Sequence, residues 1–403
     1  MTNKNVIAFA FLAVLSLIVL GRYYVVKKSE RPLPSLSQRL SEKAQPSSEF
    51  LNAKKAVEYY EIEIRRKPEV VKNYVDLANV FLQEGRVTGN HHEYIPSAQE
   101  MLDEALSREP DDFEALLAKA SIMLTLHQFS EAKRLAQIAL VKNPYSAFAY
   151  GVLVDAHAEL GEYEDAVKAS DKMLSLRPDL RSYSRASYLR ELHGDHAGAI
   201  AAMRLAADAG VSGHENRAWA LYHLGMLYLQ AGKLDTAAYI FKGTLEERPN
   251  YAYALSGLAQ VNAAKKDYPE AIRLLQQAHN LTPEHVFLEQ LAEAYRFSGD
   301  IRRADSTAQE VLKMFGQHEK AGWNINREFA RFCANHDMNL PAALKRAKIE
   351  YEARPNNIEV QETYAWLLYK NGQTPEAVPI IEPALRLNTR RAALSYHAGM
   401  ITR

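Results

Sequence analysis

Cysteine is almost missing from this chain: Cys333 is the only one. That excludes a disulfide framework and a thiolate metal site within one molecule. Cys333 lies among apolar residues at helical spacing, so it reads as a buried, inert thiol. Net charge is missing too, because 49 Lys and Arg balance 49 Asp and Glu. No overall field draws the protein to nucleic acid or anionic lipid. The longest basic run is only Arg65-Arg66-Lys67, so nucleic-acid binding is not expected. There is no Gly-rich phosphate loop, no nucleophile elbow and no His-Glu-x-x-His. No catalytic centre, cofactor or metal is expected.

Long apolar runs are scarce outside the N-terminus. Val6 to Leu20 contains one polar residue, Ser16, and Gly21-Arg22-Tyr23-Tyr24-Val25-Val26 extends the run. As a helix, residues 6–26 suffice to span roughly 30 Å of hydrocarbon, with Tyr23 and Tyr24 at the interface and Arg22 snorkelling. A cleaved signal peptide is the alternative, but no small-x-small pattern follows Leu20. The expected organisation is therefore a tail (1–5), a single-pass transmembrane anchor (6–26), a linker (27–50) and the main domain (51–403). Arg22, Lys27, Lys28 and Arg31 follow the span, which leans the C-terminal bulk toward the cytoplasm; export stays open.

What is abundant is regularity. Ala56, Ala98, Ala132, Ala166, Ala199, Ala237, Ala271, Ala304, Ala343 and Ala377 recur at nearly even spacing. Pro68, Pro110, Pro144, Pro178, Pro249, Pro283 and Pro355 follow most of them by about one helix, several at the 34-residue period of a repeat built from two helices. Units start near Val71, Phe113, Ala147, Leu180, Ala218, Ala252, His285, Trp323 and Ile358, with half units at 54–68 and 392–403.

Within one unit the pattern reads Leu221, Leu224-Gly225, Tyr228, Gly232, Ala237, Phe241, Pro249; the next repeats it with Leu255, Leu258-Ala259, Ala271, Leu275 and Ala278. This resembles the tetratricopeptide repeat, over about 340 residues. The resemblance implies an all-α, right-handed solenoid of about nine helix-turn-helix units plus terminal half units, here preceded by the apolar N-terminal helix. Small residues at the eighth and twentieth positions let paired helices approach, and bulky ones fill the rest at crystal-like density. Gly85, Gly161, Gly194, Gly232, Gly299 and Gly372 read as left-handed ends of first helices. Tyr183 to Asp195, the long first turn and Tyr396-His397-Ala398-Gly399-Met400 look like a bacterial subfamily of exported or membrane-tethered members, for which no activity is implied.

Three places break the rhythm. Pro68 to Pro110 spans eight residues too many, and Arg86 to Pro96 reads as a longer polar turn in which His91, His92 and Glu93 are too close in sequence to face one ion. The unit near Leu180 ends in Ala209-Gly210-Val211-Ser212-Gly213-His214 rather than proline, and His193 and His196 fall in a turn beside Gly194. The chain stops after one helix of a unit, Ala392 to Arg403, which reads as a solvating cap, with a face covered by a partner or a truncated chain as the alternatives.

The family resemblance places positions 2, 5, 9 and 12 of first helices on the concave face. In this sequence that gives Phe148 and Asp155; Arg181, Tyr188 and Glu191; Trp219, Tyr222 and Met226; Tyr253 and Gln260; Glu289 and Glu293; and Glu359, Glu362 and Trp366. The middle is aromatic and the later part acidic, so the expected partner is a protein or peptide segment with apolar anchors and some basic character. The Lys/Asn carboxylate clamp of chaperone-binding relatives is not matched, since Asn79 has Val75 where a Lys is needed. Three readings stay open: a non-catalytic interaction scaffold tethered to a membrane, which is preferred; an exported envelope- or glycan-associated protein; and an enzyme subunit.

Overall fold

The computed structural model describes residues 39–42 and 46–403, with Ser16 and Leu36 besides. Two units divide the chain at residue 37, and the helical array lies within the second, 38–403. The stretch at residues 6–26 lies, Ser16 apart, outside the described residues. Among the described residues no helix is long and apolar enough to cross a membrane. On that finding the single-pass membrane localisation is corrected, and with it the question of which side the array occupies.

The described residues form α-helices, one short 3-10 turn at Leu40–Glu42 and no strand. A lone helix, α1 (Ser48–Arg66), precedes the pairs α2 (Val71–Thr88) with α3 (His91–Arg108), α4 (Phe113–Thr125) with α5 (Phe129–Lys142), and α6 (Ala147–Leu160) with α7 (Tyr163–Leu176). Then come α8 (Leu180–Leu192) with α9 (His196–Asp208), α10 (Glu215–Gln230) with α11 (Leu234–Glu247), and α12 (Ala252–Ala264) with α13 (Tyr268–Leu281). The array closes with α14 (His285–Phe297) and α15 (Ile301–Lys320), α16 (Asn326–His336) and α17 (Leu340–Ala353), α18 (Ile358–Lys370) and α19 (Thr374–Ala384), and the unpaired α20 (Ala392–Ile401). Each helix packs on its partner and on the next unit, the nearest-neighbour logic of a solenoid.

The alanine ladder is the seam inside each pair. Ala98, Ala132, Ala166, Ala199, Ala237, Ala271, Ala304, Ala343 and Ala377 are all completely buried, because only a methyl group fits between helices that close. Ala56, in the unpaired α1, is half-buried. Polar residues start several helices: Asp112, Ser146 and Asn357 each accept hydrogen bonds from backbone amides of the first turn, satisfying donors the helix leaves unpaired.

The eight extra residues of the first full unit do not make a longer turn. They lengthen α2 and α3 to 18 residues each, against 13 and 14 in α4 and α5. Gly85, expected to end the first helix, lies inside it, and Gly89 takes the left-handed end with φ 71°. Arg39, in the stretch expected as linker, is buried. It donates to Glu84 at 2.6 and 3.2 Å and to Glu49 at 2.9 Å, which secures the start of the array against α2.

The array also winds back onto itself. Roughly six repeat periods separate the loops that meet. Arg248 donates to Glu49 at 3.1 Å. The Asn324 amide donates to the Leu126 carbonyl at 3.0 Å, and His127 Nδ1 donates to the Asn324 carbonyl at 2.9 Å. Arg354 reaches the Glu159 carbonyl at 2.9 Å and Asn357 reaches the same oxygen at 2.9 Å. These partners are 195 to 199 residues apart. Turns within early units thus dock on loops between late units, rung after rung. The result is a superhelix whose successive turns touch.

Candidate functional site

The inward stripes of α2, α4, α6, α8 and α10 line a partly open cavity of about 810 Å³. Its walls follow helical periodicity: Trp219, His223, Met226 and Gln230 of α10 recur at three- or four-residue steps, as do Arg181, Ser184, Tyr188 and Glu191 of α8. Residues so spaced share one face of a helix. That volume lies in the range of pockets that bind ligands.

Of the residues expected on the concave face, Phe148, Asp155, Tyr188, Trp219 and Met226 line this cavity. Phe148 and Tyr188 keep 38% and 37% of their surface free, directed into the lumen. Tyr222 does not join them. It packs between Phe241 and Tyr253, at centroid distances of 6.0 and 5.4 Å, and burial lifts its phenol pKa to about 12 although Gln260 hydrogen-bonds it. Gln260 is therefore occupied by Tyr222. Tyr253 is filled in as well: its hydroxyl donates to Glu284 at 2.6 Å and its ring meets Phe287 at 5.2 Å. His223, not Tyr222, takes the lumen position, since the fifth and sixth positions of the unit are adjacent on the helix and straddle the same direction, and only the packing of α10 chooses.

The later acids are already engaged. Glu289 accepts from Arg331 at 2.9 Å; burial nevertheless raises its pKa to about 7, outweighing Arg331. Burial raises Glu293 too, with Arg331 opposing. Glu359 bridges Arg327 and Arg391; against burial, these two cations pull its pKa down to about 2. Trp366 is buried under His397 and Tyr369, at 4.1 and 5.1 Å between centroids. Tyr253, Gln260, Glu289, Glu293 and Trp366 thus do not border the cavity.

Sequence reasoning missed several of its groups. Arg185 binds Asp155 through two hydrogen bonds of 2.8 and 2.5 Å. Arg86 lies 2.9 Å from Glu215. His91 and His223 are held neutral, burial lowering the pKa of each to about 4. Arg86 and His91 owe their place to the lengthened α2 and α3, which a reading of the insertion as a turn hides. A smaller cavity of about 230 Å³ shares Asp155 and runs to Arg327, Glu328 and Arg354 at the contact between superhelical turns. Among the described residues, no three His, Cys, Asp or Glu side chains gather as a metal-holding group. Cys333 is buried, and burial raises its pKa to about 11.

Models of the tetratricopeptide repeat match residues 117–180, 193–252 and 228–285, covering units whose paired helices and buried alanines are those described above. This is a tetratricopeptide-repeat protein. The repeat protein is 25% identical over 236 residues to anaphase-promoting complex subunit 3 of Schizosaccharomyces pombe, covering 58% of this chain and 32% of that one. It is 24% identical over 183 residues to cellulose synthase operon protein C of Pseudomonas fluorescens, covering 43% of this chain and 14% of that one. The chain therefore spans about a third of the first relative and a seventh of the second. Among solved structures, the human IFIT1 dimer with PPP-AAAA superimposes with a TM-score of 0.48 at 16% identity, over 87% of this tetratricopeptide-repeat chain and 92% of that one.

Proposed function

We propose that this protein is a non-catalytic interaction scaffold that takes a segment of a protein partner into the lumen of its superhelix. The tetratricopeptide fold is consistent with a protein-interaction role. The observation that carries the reading is the contrast between two sets of aromatic residues. Tyr222, Tyr253 and Trp366 fill the array itself, whereas Phe148, Tyr188 and Trp219 face a partly open cavity together with Met226. Large apolar side chains left uncovered in a concave, partly desolvated place are the makings of a binding hot spot.

Crosslinking pull-down with the full chain tests this. Trp219→Ala is expected to lose the partners captured by the wild type, and Trp366→Ala, whose ring packs on His397 rather than the cavity, is expected to keep them. Capture of the same partners by both variants overturns the reading.

A further inference from the structure

The charge left over in the lumen has the opposite sign to the one the sequence pattern suggests. Most acids of the later units are paired: Glu359 with Arg327 and Arg391, Glu289 with Arg331, and Glu362 with His397 at 2.9 Å; Glu293 forms no ion pair among the described residues but does not border the main cavity. On the wall of the main cavity Asp155 is taken by Arg185, and Arg86 is taken by Glu215, which lies outside the lining. Arg181 is different. Its guanidinium meets no carboxylate among the described residues and lies over the Phe148 ring, 5.5 Å from the centroid, on the cavity wall. Burial lowers its pKa, and the positive fields of Arg86 and Arg185 lower it further, with Asp179 opposing. The remaining acid of the wall, Glu191, sits ten residues along the same helix, about 15 Å away, and is held by Gln230. Arg181 is exposed to the lumen, so its donors are available to an incoming anion, and a guanidinium donates to a carboxylate through two parallel hydrogen bonds.

We propose that the lumen recognises an internal acidic side chain next to a bulky apolar one, the carboxylate on Arg181 and the apolar group against Trp219 and Met226. This rests on the reading that a partner segment enters the lumen, and it reverses the basic character expected from the sequence.

The test is selection of a displayed random octapeptide library on the full chain, read by sequencing. Wild type is expected to enrich Asp or Glu within three residues of Trp, Phe, Leu or Met, by about tenfold over apolar peptides without an acid, as a hydrogen bond to a charged group supports. Arg181→Gln is expected to keep the apolar enrichment and lose the acidic one; Arg181→Glu is expected to select Lys or Arg instead. The Arg181 guanidinium holds no ion pair among the described residues, and unchanged helicity and melting identify the folded variants. Enrichment of Lys or Arg by wild type, absence of any charge preference, or an acidic preference that survives Arg181→Gln overturns the proposal while leaving lumen binding intact. A selection that enriches nothing, or is indifferent to Trp219→Ala, overturns lumen binding itself and this proposal with it.

Discussion

The phenol oxygen of Tyr163 accepts a 2.9 Å hydrogen bond from the backbone amide of Ile358, 195 residues further along the chain. Ile358 is the first residue of α18, and Asn357 already serves the next two amides, of Glu359 and Val360. Tyr163 thus supplies the acceptor that a helix start cannot find within itself. The guanidinium of Arg386 lies 5.3 Å from the same ring centre, so one side chain of the early superhelical turn meets two elements of the late one.

Removing that oxygen is expected to be costly in proportion to what is left buried. Tyr163→Phe keeps the ring but strands the Ile358 amide, for a loss of about 1–3 kcal/mol. Urea unfolding of the variant against wild type measures it. Equal stability of the two proteins contradicts the role given to this contact.

Gly161 and Gly232 share a left-handed backbone, φ 78° and 72°, in different surroundings. A Cβ on Gly161 would lie 2.3 Å from the Asn356 carbonyl carbon, whereas one on Gly232 would meet nothing within 4 Å. Gly232→Ala is expected to cost only the backbone strain, about 1 kcal/mol. Gly161→Ala adds overpacking of about 1–3 kcal/mol or parts the two turns. Melting temperature together with the radius of gyration from X-ray scattering distinguishes these results.

The Phe241 ring is gripped by two glycines of neighbouring helices. A Cβ on Gly225 or Gly257 would lie 2.4 or 2.5 Å from it. Gly257→Ala is therefore expected to destabilise, although alanine is the better helix former by about 1 kcal/mol. Gly243, on the same helix as Phe241, has nothing within 4 Å of its added Cβ, and Gly243→Ala is expected to stabilise by about 1 kcal/mol. Opposite signs in one melting series would support the packing; equal signs would contradict it.

Acid should weaken the contact between turns. His91, His127 and His318 surround Trp323 at 5.1 to 5.8 Å between centroids, with His285 against His318 at 5.2 Å. Burial, then the field of His318, lowers His91 to about 4 and His285 to about 3, and burial lowers His318 as well. His92, Glu328 and Arg331 also face this group, Glu328 favouring and the cations opposing protonation of His285 or His318. Each folded pKa lies below the unfolded value near 6.5, so the unfolded chain binds more protons between the two. Stability is then full above about pH 6.5 and falls as pH drops toward about 4. Chemical denaturation between pH 7 and pH 4.5 shows the slope, and replacing His91 and His285 by Gln should flatten it.

Much of the array was readable because its causes are local. An alanine, a left-handed glycine and a proline act on residues within one unit, so starts such as Val71, Phe113, Ala147, Leu180, Ala252, His285 and Ile358 coincide with helix starts. The site was readable in outline only. Phe148, Tyr188, Trp219 and Met226 fell where the family's spacing puts them, but Tyr222 and His223 differ by a single residue, and the helix period cannot choose between them.

The amino-acid order by itself determined the period, the pairing of helices and the buried alanine seams, since each follows from contacts within about 34 residues. The tertiary structure decided the rest. How far each unit rotates on the last accumulates over six units into the meeting of Tyr163 with Ile358, and no residue type marks a partner 195 positions away. Packing of neighbouring units pairs Glu359 with Arg327 and Arg391, while Arg181 faces the lumen with no carboxylate among the described residues. Composition gives the sum of the charges; only folding decides which of them remain unneutralised.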